Sequence, residues 1–427
     1  MAKVTLPSPT VTLSKVQARR FLLAHHALWP PRQIQDKAGI LDFFRRVGCI
    51  QFDPIDIVGR NPDLVLHARV AGCDRGLLNE LLYSDRLLCD GWDKVASIYL
   101  TADWPHFARR RAAMRCHHAE SKRSKPGFEA APDILQVIRR RGPTSSLDLK
   151  DFEGDDNVSW SWGHQARLGR AALDVLYDTG EIGIHHRVGT RRVFDVIENL
   201  LPAETLSAPD PYKTLEDYHD WHVLRRVGSV GLANVGTAQC WLGVCELNRA
   251  ARGAAATRLV VRGEVVAVAL EDAPGRVFLL RAADAALLDA VQDRVPPQPR
   301  AVFIAPLDNL IWDRDMVRWV FDFDYTWEVY KPKTQREYAY YVLPVLYGDR
   351  FVARFEPAFE KETRAFTVAN WWWEKDVRPD DAMQAALADC LGEFARYLDA
   401  SHVRLGEKVA GEKSLDWVVD HGGLIKA

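Results

Sequence analysis

The chain has 427 residues and a formal net charge of −2, with 48% hydrophobic and 27% charged residues. Those proportions lie near globular averages and exclude an intrinsically disordered chain, and at about 150 residues per domain the length points to about three modules. Apolar runs such as 265–270 fall far short of the ~20 residues a membrane-spanning helix needs, and residues 1–12 lack the apolar core of a signal peptide, so no membrane partner and a cytoplasmic location are expected.

Helical spacing of apolar residues marks 14–24 and 33–47. Next comes Ile50-Gln51-Phe52-Asp53-Pro54. Proline disfavours helical geometry at the residue before it, and the apolar/polar alternation gives an extended segment. Ile50 and Phe52 then share one face, and Gln51 and Asp53 stand side by side on the other. A carboxylate beside an amide that both donates and accepts can hold and activate one water molecule. The same residue types also cap helices and close turns.

A basic run follows, Arg109, Arg110, Arg111, Arg115, Lys122, Arg123 and Lys125, which reads either as a phosphate-facing helix end or as a solvated face. Residues 133–141 form a predicted helix stopped by Gly142-Pro143, Ser145-Ser146-Leu147-Asp148 has the form of a capped second helix, and 164–178 resumes the helical pattern. Two short strands, 182–188 and 191–196, join through Gly189-Thr190. Three helices and a hairpin make a winged helix-turn-helix, with His185, His186, Arg187, Arg191 and Arg192 at the tip, which reads as a wing meeting phosphates ahead of a solvated basic turn.

A weaker copy of this order runs through helices at 215–227 and 237–247 and strands at 259–261, 265–270 and 277–280. Past the proline-rich 295–299 the pattern changes to short aromatic strands at 319–323, 327–330, 338–346, 350–355 and 364–368, then a helix at 382–398. Lys331, Lys333 and Arg336 surround Pro332 on a loop between strands, as phosphate contacts or as a solvated turn. The fold class is therefore α+β: tandem winged helices with a C-terminal antiparallel, β-barrel-like domain. The boundaries are 1–130, 131–205, 206–294 and 295–427.

The seven cysteines, at 49, 73, 89, 116, 240, 245 and 390, include no Cys-x-x-Cys pair, and the adjacent pairs His117-His118 and His185-His186 lack metal-ligand spacing. Reduced thiols, no metal and no cofactor are expected. Trp160 and Trp162 offer either base stacking or core packing, and Trp371-Trp372-Trp373 reads as packing between barrel and final helix.

Gln51-Phe52-Asp53, followed by Ile57-Val58-Gly59-Arg60-Asn61-Pro62 and Leu64-Val65-Leu66, resembles the glutamine-hydrophobic-aspartate motif of the YcaQ/AlkZ family of DNA glycosylases. Trp160-Ser161-Trp162, the block from Pro306-Leu307-Asp308-Asn309 to Arg314, Phe321-Asp322-Phe323, and the block from Arg336-Glu337-Tyr338-Ala339 to Pro344 are similar to further segments of that family. The resemblance implies winged helices around a β-barrel, double-stranded DNA as partner, Gln51 and Asp53 as catalytic pair, and excision of N7-alkylated purines, with crosslink unhooking in some members. Arg60, within the first block, is expected to contact DNA.

The sequence departs from some relatives in having Trp92-Asp93-Lys94-Val95 for Trp-x-His-Glu, Asn309 for a common proline, and Ala339 for a glycine. Lys94 could contact a phosphate or attack the sugar as a lyase, but an exposed, ion-pairing lysine is the expectation. The rival reading is a non-catalytic winged-helix regulator. A regulator usually dimerises on a two-fold site, whereas this chain carries enough modules to clamp DNA as a monomer.

Overall fold

The computed structural model describes residues 8–150, 157–159, 165–237, 239–293 and 297–421. Two compact units form: Met1–Leu77 with His219–Leu242 and Leu247–Ala427, and Leu78–Tyr218 with Gly243–Glu246. Trp160, Ser161 and Trp162 lie outside the described residues.

In the first unit, Ser14 and Gln17 exchange bonds in a capping box that starts the helix Lys15–His25, and Asp36 caps the helix Lys37–Val47. Gly48, at φ 77°, ends that helix and turns the chain into the strand Cys49–Gln51. The helix Asn61–His67 follows, with Pro62 in its first turn. A four-stranded sheet runs in the order Val11–Leu13, Val265–Leu270, Phe278–Arg281, Ala233–Asn234. Its first pair is parallel and the others antiparallel. Helix, sheet and the 302–323 region close over one core that includes Phe21, Leu22, Val268, Phe278, Ile311 and Phe323.

Two expectations in this stretch need correction. Among the described residues of 237–247 there is no α-helix, and a 3₁₀ turn, Gln239–Trp241, is found instead. The helix lies later, at Arg249–Val261, so 259–261 is its last turn and not a strand. Asn248 caps an alanine-rich run of high helix propensity, which carries helical geometry through the β-favouring Leu-Val-Val end.

The C-terminal sheet has five strands in the order Ala301–Phe303, Leu343–Tyr347, Arg350–Glu360, Ala365–Trp373, His402–Leu405. It curls as a half-barrel rather than closing, and its last pair is parallel, so the antiparallel barrel holds only in part. Residues 319–323 are not a strand. Asp313 caps the helix Arg314–Phe321, which buries Met316, Val317, Val320 and Phe321 at helical spacing. Residues 327–330 likewise hold a 3₁₀ turn, Glu328–Tyr330. The tryptophan run is part of the strand Ala365–Trp373, where Trp371 packs against Phe355 and Trp417. The final long helix, Asp381–Tyr397, falls where expected.

The second unit holds the helices Ala108–Glu120, Lys125–Arg141 and Leu168–Thr179, and the antiparallel hairpin Ile182–Val188/Arg191–Val196. Ile134, Ile138, Leu173, Leu176, Ile182 and Phe194 share its core. Over the described residues 145–150 the helix expected to begin at Ser145 does not form. Asp148 accepts bonds from the Ser145 amide and hydroxyl, closing a turn at 146–150 after the strand Thr144–Ser145.

Within the first unit a bidentate ion pair joins residues 239 apart in sequence. Arg69 Nη1 donates to Asp308 Oδ2 at 2.7 Å and Nη2 to Oδ1 at 2.8 Å, with both side chains 0% exposed. Arg69 also donates to the carbonyls of His26 and Val65, and Asp308 Oδ1 accepts the Leu310 amide. Removing one partner strands a buried charge. Asp308→Ala is therefore expected to lower the stability of this unit by about 3–5 kcal/mol, read from urea denaturation.

A candidate active site around Asp53

The strand Cys49–Gln51 alternates as its sequence predicts: Ile50 and Phe52 are buried, while Gln51 and Asp53 are half-buried. Two buried asparagines fix its backbone. Asn61 Nδ2 donates to the Gln51 carbonyl at 2.7 Å, and Asn61 Oδ1 accepts the Leu307 amide at 2.9 Å. Asn309 Nδ2 donates to the Cys49 carbonyl at 2.9 Å and to that of Ser229. A proline at 309 could make neither bond, so this departure from the family pattern has a structural role here.

Asp53 Oδ1 accepts the Ile55 amide at 2.9 Å, which turns the chain after Pro54. Burial pushes the Asp53 carboxyl above the usual aspartate range, and the Ile55 amide offsets this in part. Gly59 completes the turn at φ 134°, a conformation that side chains avoid, and a Cβ there would meet Tyr397 Oη at 2.5 Å.

A second loop of the same unit lies within electrostatic reach of Asp53. The Asp53 charge, after burial itself, raises the Tyr330 hydroxyl, and it adds to burial and Tyr325 in raising that of Tyr341. Glu328 closes this loop. Its buried carboxylate accepts Lys331 Nζ at 2.8 Å and the amides of Glu337 and Tyr338 at 3.0 and 2.9 Å. Burial would raise the Glu328 carboxyl, but these donors hold it below the usual glutamate range. Arg336 donates to the Lys331 carbonyl and lies over the Tyr340 ring at 5.0 Å. Lys333 is exposed.

The structure thus gathers Gln51, Asp53, Lys331, Lys333 and Arg336 in one unit. Arg60 belongs to that unit but makes a bidentate pair with Asp63 at 2.6 and 2.9 Å, with both side chains largely buried. Its guanidinium is thus held against its own helix.

His185, His186, Arg187, Arg191 and Arg192 are in the second unit, and the hairpin tip there is Val188-Gly189-Thr190-Arg191. Arg191 is exposed at that tip. The others sit lower. His185 and His186 bring their Nδ1 atoms to 2.8 Å, and Arg187 pairs with Asp90 at 2.9 Å with both side chains buried. Arg192 pairs with Asp174 and lies over Phe194.

The basic run of the helix Ala108–Glu120 is likewise committed to protein partners. Arg109 pairs with Asp210, Arg110 with Asp178 and Arg115 with Glu181, while Arg111 covers the Trp104 ring at 4.1 Å. Lys94, expected to be exposed, is buried. Among the described residues no group of three or more His, Cys, Asp or Glu is placed to hold a metal ion. No helix among them is long and apolar enough to cross a membrane.

Sequence reasoning missed Asn61 as a backbone clamp and Tyr330 and Tyr341 as neighbours of the candidate carboxylate. Tyr330 directly before Lys331, and Tyr338, Tyr340 and Tyr341 just after Arg336, were the available signal. A strand pattern read over the same residues hid it.

The family model described as "DNA glycosylase AlkZ-like" matches residues 44–397. The fold is also similar to the solved structure of Streptomyces sahachiroi DNA glycosylase AlkZ, with a TM-score of 0.60. That match covers 92% of this chain and 99% of the other at 14% sequence identity.

Because Asp53 is raised by burial, folding favours its protonated form. That contribution is whole below the unfolded pKa and is lost as pH rises through the folded one, so the ionised side chain costs stability at neutral pH. Asp53→Asn is expected to raise Tm at about pH 7.5, with the gain shrinking toward about pH 4.5, as followed by thermal denaturation.

Proposed function

The chain belongs to the AlkZ-like family of DNA glycosylases, and from that premise we propose that it hydrolyses the N-glycosidic bond of N7-alkylated purines in duplex DNA, with Gln51 and Asp53 as its working pair. The observation that carries this reading is the half-buried amide and carboxylate on one extended segment, whose Gln51 and Cys49 carbonyls are held by Asn61 and Asn309. A water-activating pair needs such fixed geometry.

Alkylation at N7 makes the purine cationic, so it leaves without being protonated and without a Lewis acid. As the C1′–N9 bond breaks, its electron pair neutralises the purine, and positive charge develops on the sugar. Asp53 stabilises that charge and takes a proton from the water that bonds to C1′, while the Gln51 amide orients the water. One carboxylate suffices, in contrast to the acid pairs of most sugar hydrolases. A crosslink made through N7 carries the same charge and is open to the same step.

We read the helices and hairpin of the second unit as a winged-helix module, with exposed Arg191 as a phosphate contact. Lys333 and Arg336 serve the same role beside Asp53. These residues steer and hold DNA without reading its sequence.

Single-turnover release of 7-methylguanine from a methylated duplex tests the proposal. Asp53→Asn is expected to lower the rate by about 10²–10³-fold or more with DNA affinity little changed. The wild-type rate should fall with acid through a pKa above the usual aspartate range, since the carboxylate is the working form. No release, with salt-sensitive DNA binding intact, would turn the reading toward a non-catalytic DNA binder.

A further inference from the structure

Tyr330 is 79% exposed and Tyr340 39% exposed, on one loop next to a candidate catalytic carboxylate. A single exposed aromatic residue on a protein surface needs no explanation. Two on a closed, cation-bearing loop beside Asp53 do.

The loop is built to hold the Tyr330 ring still. Glu328 ties Lys331 to the amides of Glu337 and Tyr338, and Val329 is buried beneath. Pro332 restricts the backbone just beyond. The Trp327 ring packs edge-on against that of Tyr330 at 5.7 Å and against that of Tyr341 at 6.5 Å. An aromatic face supported in this way loses little entropy when a flat ligand stacks on it.

The two tyrosines differ in one respect. The Arg336 guanidinium already lies over the Tyr340 ring. Among the described residues no side-chain cation covers Tyr330. Its face is open to a flat, positively charged partner, which aromatic rings attract more strongly than neutral ones. Asp53, near enough to act on the Tyr330 hydroxyl, places a negative charge by the same opening.

We infer that Tyr330 is the stacking platform for the cationic purine, and that its ring sets the preference for an N7-alkylated base over a neutral one. This rests on the glycosylase reading above. Base–aromatic stacking depends on the ring and not on the phenol hydroxyl, so phenylalanine should replace tyrosine and alanine should not.

The test measures binding to a duplex whose 7-methylguanine nucleotide carries fluorine at C2′. The fluorine disfavours positive charge at C1′ and so preserves the glycosidic bond. Kd is compared with that for the same duplex containing guanine, at one salt concentration, for the wild type, Tyr330→Ala and Tyr330→Phe. The wild type is expected to favour the methylated duplex, with about 10-fold of that preference lost in Tyr330→Ala. Tyr330→Phe should retain it. Affinity for the guanine duplex reports whether each variant is folded.

Three results would overturn the inference: no preference in the wild type, preference kept in Tyr330→Ala, or an equal loss for both duplexes. Excision from ordinary methylated duplex is read separately with the same preparations. Active wild type with a preference indifferent to Tyr330 removes the stacking role and leaves the glycosylase. Inactive wild type with a Tyr330-dependent preference does the reverse.

Discussion

The first unit depends on one buried ion pair. Arg69 follows directly on the helix Asn61–His67 and its neighbour Ala68, and Asp308 opens the turn that carries Asn309. Pairing the two brings together segments that are remote in sequence, and each then supplies one asparagine to the strand Cys49–Gln51. Two fully buried charges in good bidentate geometry, with further backbone partners, leave few other arrangements for these segments. The placement of Gln51 and Asp53 is thus a tertiary property. A three-residue strand could not maintain it alone.

Asp53 and Glu328 show two opposite treatments of a carboxylate in that unit. The Glu328 side chain is the less exposed of the two, yet three donors satisfy it and favour its charge. Asp53 accepts one amide, and burial disfavours its charge. The difference separates a group that holds a loop from one left under-satisfied where a reactive group would be needed. Local cost of this kind is what functional positions carry in otherwise well-satisfied proteins.

How much was legible in the sequence follows from the range of the forces involved. The extended Ile50–Asp53 segment, the hairpin through Gly189-Thr190 and the last long helix were readable because proline, turn residues and periodicity act locally. The helix Arg314–Phe321 was also encoded, by the Asp313 cap and the spacing of Met316, Val317, Val320 and Phe321, but its aromatic residues drew a strand reading. Charge runs were the weakest guide. Arg109, Arg110 and Arg115 find acids 101, 68 and 66 residues away, as Arg187 finds Asp90, and no local pattern announces such partners. The family resemblance located the asparagine-bearing blocks without saying that they meet.

The order in which the chain is made gives its discontinuous layout a further meaning. Val11 pairs with Val268, so the first strand must wait for some 257 residues to be synthesised, the difference of those two positions. At ~5–20 residues per second that is a delay of roughly 10–50 s. Throughout it, Phe21, Leu22 and Leu23, destined for a shared core, lack the partners that will cover them. Nearly all of the second unit emerges within that interval and can fold. The newborn chain therefore carries a finished module behind an unfinished beginning, and its early helices are the part that a chaperone would have most reason to shield.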